Sequence, residues 1–177
     1  MDTLTSLKEA FENNRIGEGD LEIPLSDTAE NRYASQQIMT QARRSMLIVS
    51  RQLDPLLYDT EEFVQAASDF ARRNRYTRIY ILIRDNSAIL RDGHRLITLA
   101  QRISSHIQVR LMHENYGQYN QAFMVADKRG ILIRPKADQM TGRVIFNDPR
   151  LGSSLEEVFM EMWESSLPDP NLRRLMI

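Results

Sequence analysis

Apolar residues in this chain gather into short runs separated by polar stretches of helical period. Met46-Leu47-Ile48-Val49 is one unbroken run, and Ile79-Tyr80-Ile81-Leu82-Ile83 is another. Runs of this length read as strands covered on both faces. Between them Thr60, Glu61 and Glu62 open a helix with the stripe Phe63, Ala66, Ala67, Phe70 and Ala71, and Arg72, Arg73 and Arg75 crowd its end. Acidic residues at the start and basic residues at the end suit the helix dipole. Strand, helix, strand at this spacing predicts a parallel crossover. An earlier helix starts at Ser26 or Asp27, with Glu30 in a capping pattern, and ends at Arg43-Arg44. Asp54-Pro55 starts a turn after the first strand.

Downstream, the pattern predicts a helix over 89–104, weakened at Gly93, and a third, alternating strand over Ile107–Leu111. Gln121–Ala126 and Ile131–Arg134 read as a hairpin. Its tight turn, Asp127-Lys128-Arg129-Gly130, is expected to use glycine for positive φ. Val144-Ile145-Phe146 is a candidate sixth strand. Asp148-Pro149 begins a last helix with Leu151, Leu155, Val158, Phe159, Met162 and Trp163 in its stripe. The tail from Pro168 is expected to pack back through Leu172, Leu175 and Ile177. The predicted class is α/β: a mixed sheet of five or six strands with helices on both faces, forming one domain over 32–177.

Residues 1–31 read as a peripheral acidic segment. Leu4, Leu7, Ala10 and Phe11 fit a short helix, which Gly17 and Gly19 end. Leu21, Ile23 and Leu25 alternate, and Pro24 assigns such a strand to an edge. Charge sharpens this division. Residues 1–30 hold 2 basic and 8 acidic residues, net −6, against 21 and 16, net +5, in residues 31–177. Arg outnumbers Lys 20 to 3, and Arg forks suit phosphate and carboxylate. The overall charge of −1 is too small for a dedicated duplex-DNA binder.

The absence of cysteine excludes a disulfide scaffold, a thiol nucleophile and an iron–sulfur cluster. No apolar run approaches the ~20 residues of a bilayer span, and the first residues lack the basic-then-apolar order of a signal peptide. A cytoplasmic protein is therefore expected. The sequence has no P-loop, GxGxxG, HExxH or GxSxG pattern. His94, His106 and His113 lack metal-ligand spacing, and no cofactor is implied.

The candidate chemistry is positional. Ligands of open α/β sheets sit beyond the carboxyl ends of parallel strands. Arg51, Arg84 and Asp85 fall at such ends, and Arg134 approaches from the hairpin. Converging guanidiniums make an anion site through charge-assisted bonds. The competing account is internal: Arg51 and Arg84 pair with Asp54, Asp85 or Asp148, or Asp85, Asp127 or Asp148 takes the Arg forks. An enzyme using Arg51, Arg84, Asp85 and His94 is a further alternative. So is a nucleic-acid-binding adaptor with an Arg-rich surface and exposed Tyr116 or Tyr119.

From Asn120 to Asp127 the chain resembles one half of the phospholipase D superfamily. That family carries HxKxxxxD on a strand, then a turn, a second hairpin strand and a closing helix. Here the window reads Asn120-Gln121-Ala122-Phe123-Met124-Val125-Ala126-Asp127. Asn120 stands at the place of the nucleophilic histidine, Ala122 at that of the phosphate-binding lysine, and Asp127 alone is retained. The resemblance covers about residues 33–166. Phrases such as SRQLDPLLYD, GHRL and FNDP resemble small bacterial proteins of this organisation. The resemblance implies phosphoryl chemistry through a histidine–phosphorus bond, with a second histidine from a partner half as proton donor. Asparagine is no useful nucleophile, and alanine neutralises no developing charge. The expected protein is thus a pseudoenzyme, a non-catalytic module for protein interaction or anion binding. Asn120 would donate an amide hydrogen bond to the anion. The family's pairing of halves implies a homodimer.

Overall fold

The computed structural model describes residues 2–173, so the expected packing of Leu175 and Ile177 lies outside the described residues. In chain order it forms α1 (Thr3–Asn13), β1 (Glu22–Leu25), α2 (Thr28–Gln41), β2 (Ser45–Ser50), α3 (Pro55–Tyr58) and α4 (Glu61–Arg72). Then follow β3 (Arg78–Ile83), α5 (Ser87–Asp92), α6 (Arg95–Arg102), β4 (Ile107–Leu111), β5 (Ala122–Ala126) and β6 (Gly130–Arg134). The chain closes with β7 (Gly142–Ile145), α7 (Pro149–Ser165), β8 (Leu167–Pro168) and α8 (Pro170–Arg173).

One mixed sheet runs β1-β7-β6-β5-β2-β3-β4-β8, with helices on both faces. Its eight strands exceed the five or six expected because β1 pairs with β7 at one edge and the two-residue β8 pairs with β4 at the other. The β2, β3 and β4 strands are parallel, and the rest are antiparallel. Strand side chains alternate between faces. Met46, Ile48, Ile79, Ile81, Met124 and Leu132 pack with α1, α2, α4 and α6. Leu47, Val49, Leu82, Phe123, Val125, Ile131 and Ile133 pack with α7. Continuous apolar runs in β2 and β3 are the consequence of this two-sided cover.

The helix expected over 89–104 is two helices. Gly93, at φ 74, ends α5, and the His94 side chain caps α6 by accepting the Leu96 N–H at 3.2 Å. In the β5–β6 turn, Asp127 (φ 54) and Lys128 (φ 64) hold the positive angles instead of Gly130. The role of Gly130 is steric: a Cβ there would lie 2.0 Å from Ile16 Cγ2. Leu7, Phe11 and Leu25 from the first thirty residues are buried in the core.

Candidate functional site

The parallel pairing of β2 with β3 places Ser50 beside Ile83, so Arg51 and Arg84 leave the sheet side by side. The Arg84 and Asp85 N–H groups both donate to the Arg51 carbonyl, at 3.0 and 2.8 Å. Arg51 is exposed, while Arg84 is half-buried and donates through Nη1 to the Tyr119 carbonyl at 2.5 Å. The Ser87 hydroxyl and N–H, then Arg51 and Arg84, hold the Asp85 carboxyl below its usual range, so it stays ionised. Asn120 reaches the same edge because β5 runs antiparallel to β2, with Phe123 opposite Val49. Its side chain is exposed, and its carbonyl accepts the Ala137 N–H at 2.7 Å. Arg51, Arg84, Asp85 and Asn120 thus share one rim. Among the described residues, neither Arg51 nor Arg84 forms an ion pair.

Arg134 does not join them. It stands opposite Ala122 across the hairpin and is 1% exposed. Its Nη2 donates to Asp54 Oδ2 at 2.6 Å, and its Nη1 to the Gln139 carbonyl at 3.0 Å. Arg134, expected at the anion site, is instead paired internally with Asp54, an acid the sequence reading offers to Arg51 and Arg84. A buried guanidinium needs such a partner, since a lone buried charge is strongly destabilising. Burial beside this pair pushes the Tyr58 hydroxyl up to about 12.

Two other acids named as fork partners have structural work. Asp127 accepts the backbone N–H groups of Arg43, Arg44 and Ser45 at 2.9, 2.7 and 3.0 Å. It sits at the far end of β5 from Asn120, so the one retained motif residue ties the hairpin turn to the α2–β2 link. Asp148 caps α7, accepting the Leu151 N–H at 3.0 Å.

The rim loop after β2 is held in a costly conformation. Leu53 has φ 56, a left-handed value that side chains with a Cβ rarely adopt. It is fully buried, its N–H donates to Ser50 Oγ at 2.9 Å, and its carbonyl meets His94 Nε2 at 2.9 Å. His94 is buried with both ring nitrogens engaged, which fixes Nε2 as donor and Nδ1 as acceptor. Burial lowers the His94 pKa, against the opposing effects of the Leu53 carbonyl and the Asp59 carboxylate. Strain of this sort persists where surrounding contacts over-determine it, and it clusters at functional sites. Sequence reading misses Ser50 and Leu53 in this role, because no glycine marks the positive φ.

Among the described residues, no group of three or more His, Asp or Glu side chains is placed to hold a metal ion. No described helix is long and apolar enough to cross a membrane.

The fold matches solved structures of low sequence identity. Nuc, a phospholipase D family member from Salmonella typhimurium, aligns at TM-score 0.63 and 15% identity, over 85% of this chain and 99% of that one. NucT from Helicobacter pylori aligns at TM-score 0.56 and 15% identity, over 85% and 100%. TrmBL2, an archaeal chromatin protein with a novel mode of DNA binding, aligns at TM-score 0.62 and 12% identity, over 93% and 60%. The fold is phospholipase-D-like. Comparison with curated proteins gives no sequence match. The model of a domain of unknown function, DUF7931, matches residues 27–175, so the chain belongs to the DUF7931 family.

Proposed function

We propose that this phospholipase-D-like domain is a non-catalytic module that binds an anionic group, a phosphate or a carboxylate, between Arg51 and Arg84. The carrying observation is two arginine residues at adjacent parallel strand ends without an ion-pair partner among the described residues. The loop bearing Arg51 is pre-positioned by the Leu53 contacts. Asn120 adds an amide donor on the same rim. Binding without turnover follows from residue chemistry: Asn120 offers no nucleophile, and Ala122 offers no cation. Protein partners bearing acidic or phosphorylated groups are the expected ligands, the setting is cytoplasmic, and the chain works as a symmetric homodimer. A second reading takes nucleic-acid phosphate as the anion. It draws support from the excess of arginine and from a fold shared with a DNA-binding chromatin protein.

Calorimetric titration with phosphate, a mononucleotide and acetate tests the site. The parent protein is expected to bind phosphate saturably, and Arg51→Ala to weaken binding at least about tenfold, or ~1.4 kcal/mol. Arg51 is exposed, so this variant retains its melting temperature. Unchanged binding in Arg51→Ala removes the site. Purified protein is also expected to leave bis-p-nitrophenyl phosphate intact. Hydrolysis that changes on Asn120→Ala substitution overturns the non-catalytic reading.

A further inference from the structure

The opposite end of the sheet gathers a second set of arginines. Arg15 follows α1, Arg43 and Arg44 lie in the α2–β2 link, and Arg73 caps the end of α4. Together with Asn74 they line an open cleft of about 580 Å³. All four arginines are exposed, and none forms an ion pair among the described residues. The backbone beneath them is tied down. The Ile16 N–H donates to Gln41 Oε1 at 2.9 Å, and Arg73 Nη1 donates to the Ala42 carbonyl at 2.5 Å. One nearby carboxylate, Asp127, is engaged by the backbone N–H groups of Arg43, Arg44 and Ser45. Their guanidiniums are not its partners.

An exposed aromatic, Tyr76, stands two residues beyond the cleft-lining Asn74, and Arg75 Nη2 donates to its hydroxyl. Tyr76 is 69% exposed, and the Arg75 guanidinium lies 4.7 Å from its ring centroid. Asn74 Oδ1 accepts the Tyr76 N–H at 2.8 Å, so the residue that lines the cleft also fixes the backbone of the aromatic. The six residues of β2 separate this end from the Arg51–Arg84 rim by about 17–20 Å. The two regions are distinct.

We propose that this cleft binds single-stranded nucleic acid, with the phosphates on Arg15, Arg43, Arg44 and Arg73 and a base stacked on Tyr76. Four guanidiniums in one concavity exceed what a single phosphate or carboxylate engages, so the ligand is a polyanion. Arg forks match phosphate oxygens in bidentate geometry. An exposed tyrosine beside a basic groove supplies the stacking face that distinguishes a nucleic acid from an acidic peptide. A single strand is favoured over a duplex because its unstacked bases reach the ring.

Fluorescence anisotropy with labelled twelve-nucleotide dT and rU strands, a duplex of equal length and polyglutamate tests this assignment. The single strands are expected to bind most tightly, with the dT and rU arms separating DNA from RNA. Arg43→Ala/Arg44→Ala keeps the backbone contacts to Asp127, so the fold is retained, checked by its melting temperature. It should weaken binding at least about tenfold and reduce the log–log salt slope by about 1.4, two phosphates at roughly 0.7 each. Arg43→Lys/Arg44→Lys should restore most of the slope. Tyr76→Ala should weaken binding at least about fivefold. Parental affinity in the Arg43/Arg44 double alanine variant overturns the site. So does a parental value in Tyr76→Ala, or polyglutamate binding as tightly as the oligonucleotides. Sensitivity to Arg51→Ala alone overturns it too, and moves nucleic-acid binding to the other rim.

Discussion

Leu53 takes a left-handed backbone angle without the freedom of glycine, and two side chains hold it there: Ser50 on its N–H and His94 on its carbonyl. The histidine joins this loop to the start of α6, since its other ring nitrogen accepts the Leu96 N–H. Protonating that nitrogen removes the acceptor and puts charge in a buried site. Burial accordingly lowers the native pKa below the ordinary 6.5. The unfolded chain then binds the proton more readily. Stability is full above about pH 6.5 and falls as pH drops from there through the lowered native value. Denaturant titrations between pH 7.5 and pH 5 should show this loss, and His94→Gln should flatten the part due to this residue. An unchanged slope in His94→Gln would refute the coupling. The positions of Arg51 and Arg84 were readable from strand ends alone. The partner of Arg134 was not, because Asp54 lies 80 residues away in sequence and no local pattern pairs them.

At the level of elements, periodicity located β2, β3, β4 and the β5–β6 hairpin, because each is an apolar run bounded by polar punctuation. It failed where a single backbone angle decides the outcome. Gly93 was visible as a weak point, yet its φ of 74 ends a helix outright and lets His94 begin another. The hairpin turn misled differently. Asp127 and Lys128 supply the two positive φ values of the tight hairpin turn, and three N–H groups hold the Asp127 carboxylate in place. A related close approach fixes α7. A Cβ on Gly152 would stand 2.0 Å from the Lys128 carbonyl oxygen and 2.7 Å from its carbon. Ala is the better helix former by about 1 kcal/mol. Even so, Gly152→Ala should destabilise by about 1–3 kcal/mol, because the neighbour is turn backbone and overpacking costs that much. Chemical denaturation decides the sign. A stabilised Gly152→Ala protein would show that α7 and the turn can separate without loss.

For the molecule as a whole, the notable boundary is at residue 27, where the family match begins. The fold does not stop there. Leu7, Phe11 and Leu25 are buried, and the Phe11 ring lies 4.9 Å from Phe146 and 5.9 Å from Tyr33. The β1 strand covers β7, with Glu22 opposite Ile145 and Leu25 opposite Gly142. Charge also crosses the boundary, through Arg143 and Glu22 at 3.3 Å. That pair is exposed on both sides and contributes little, so apolar burial decides the outcome. Its acidic composition reads as peripheral, whereas three apolar residues make it part of the core. Removing residues 1–26 deletes those three side chains. At about 1.5–3 kcal/mol each, the loss is roughly 5–9 kcal/mol as an upper estimate. That is comparable with the whole stability of an ordinary domain, about 5–15 kcal/mol. The shortened chain should therefore unfold at a much lower denaturant midpoint and bind a hydrophobic dye through its uncovered Phe146 and Tyr33. It would also expose β7 as an unpaired edge, which favours self-association. Sedimentation and denaturation of the shortened protein measure both effects. A midpoint equal to that of the full chain would show that the core is complete from residue 27 onward.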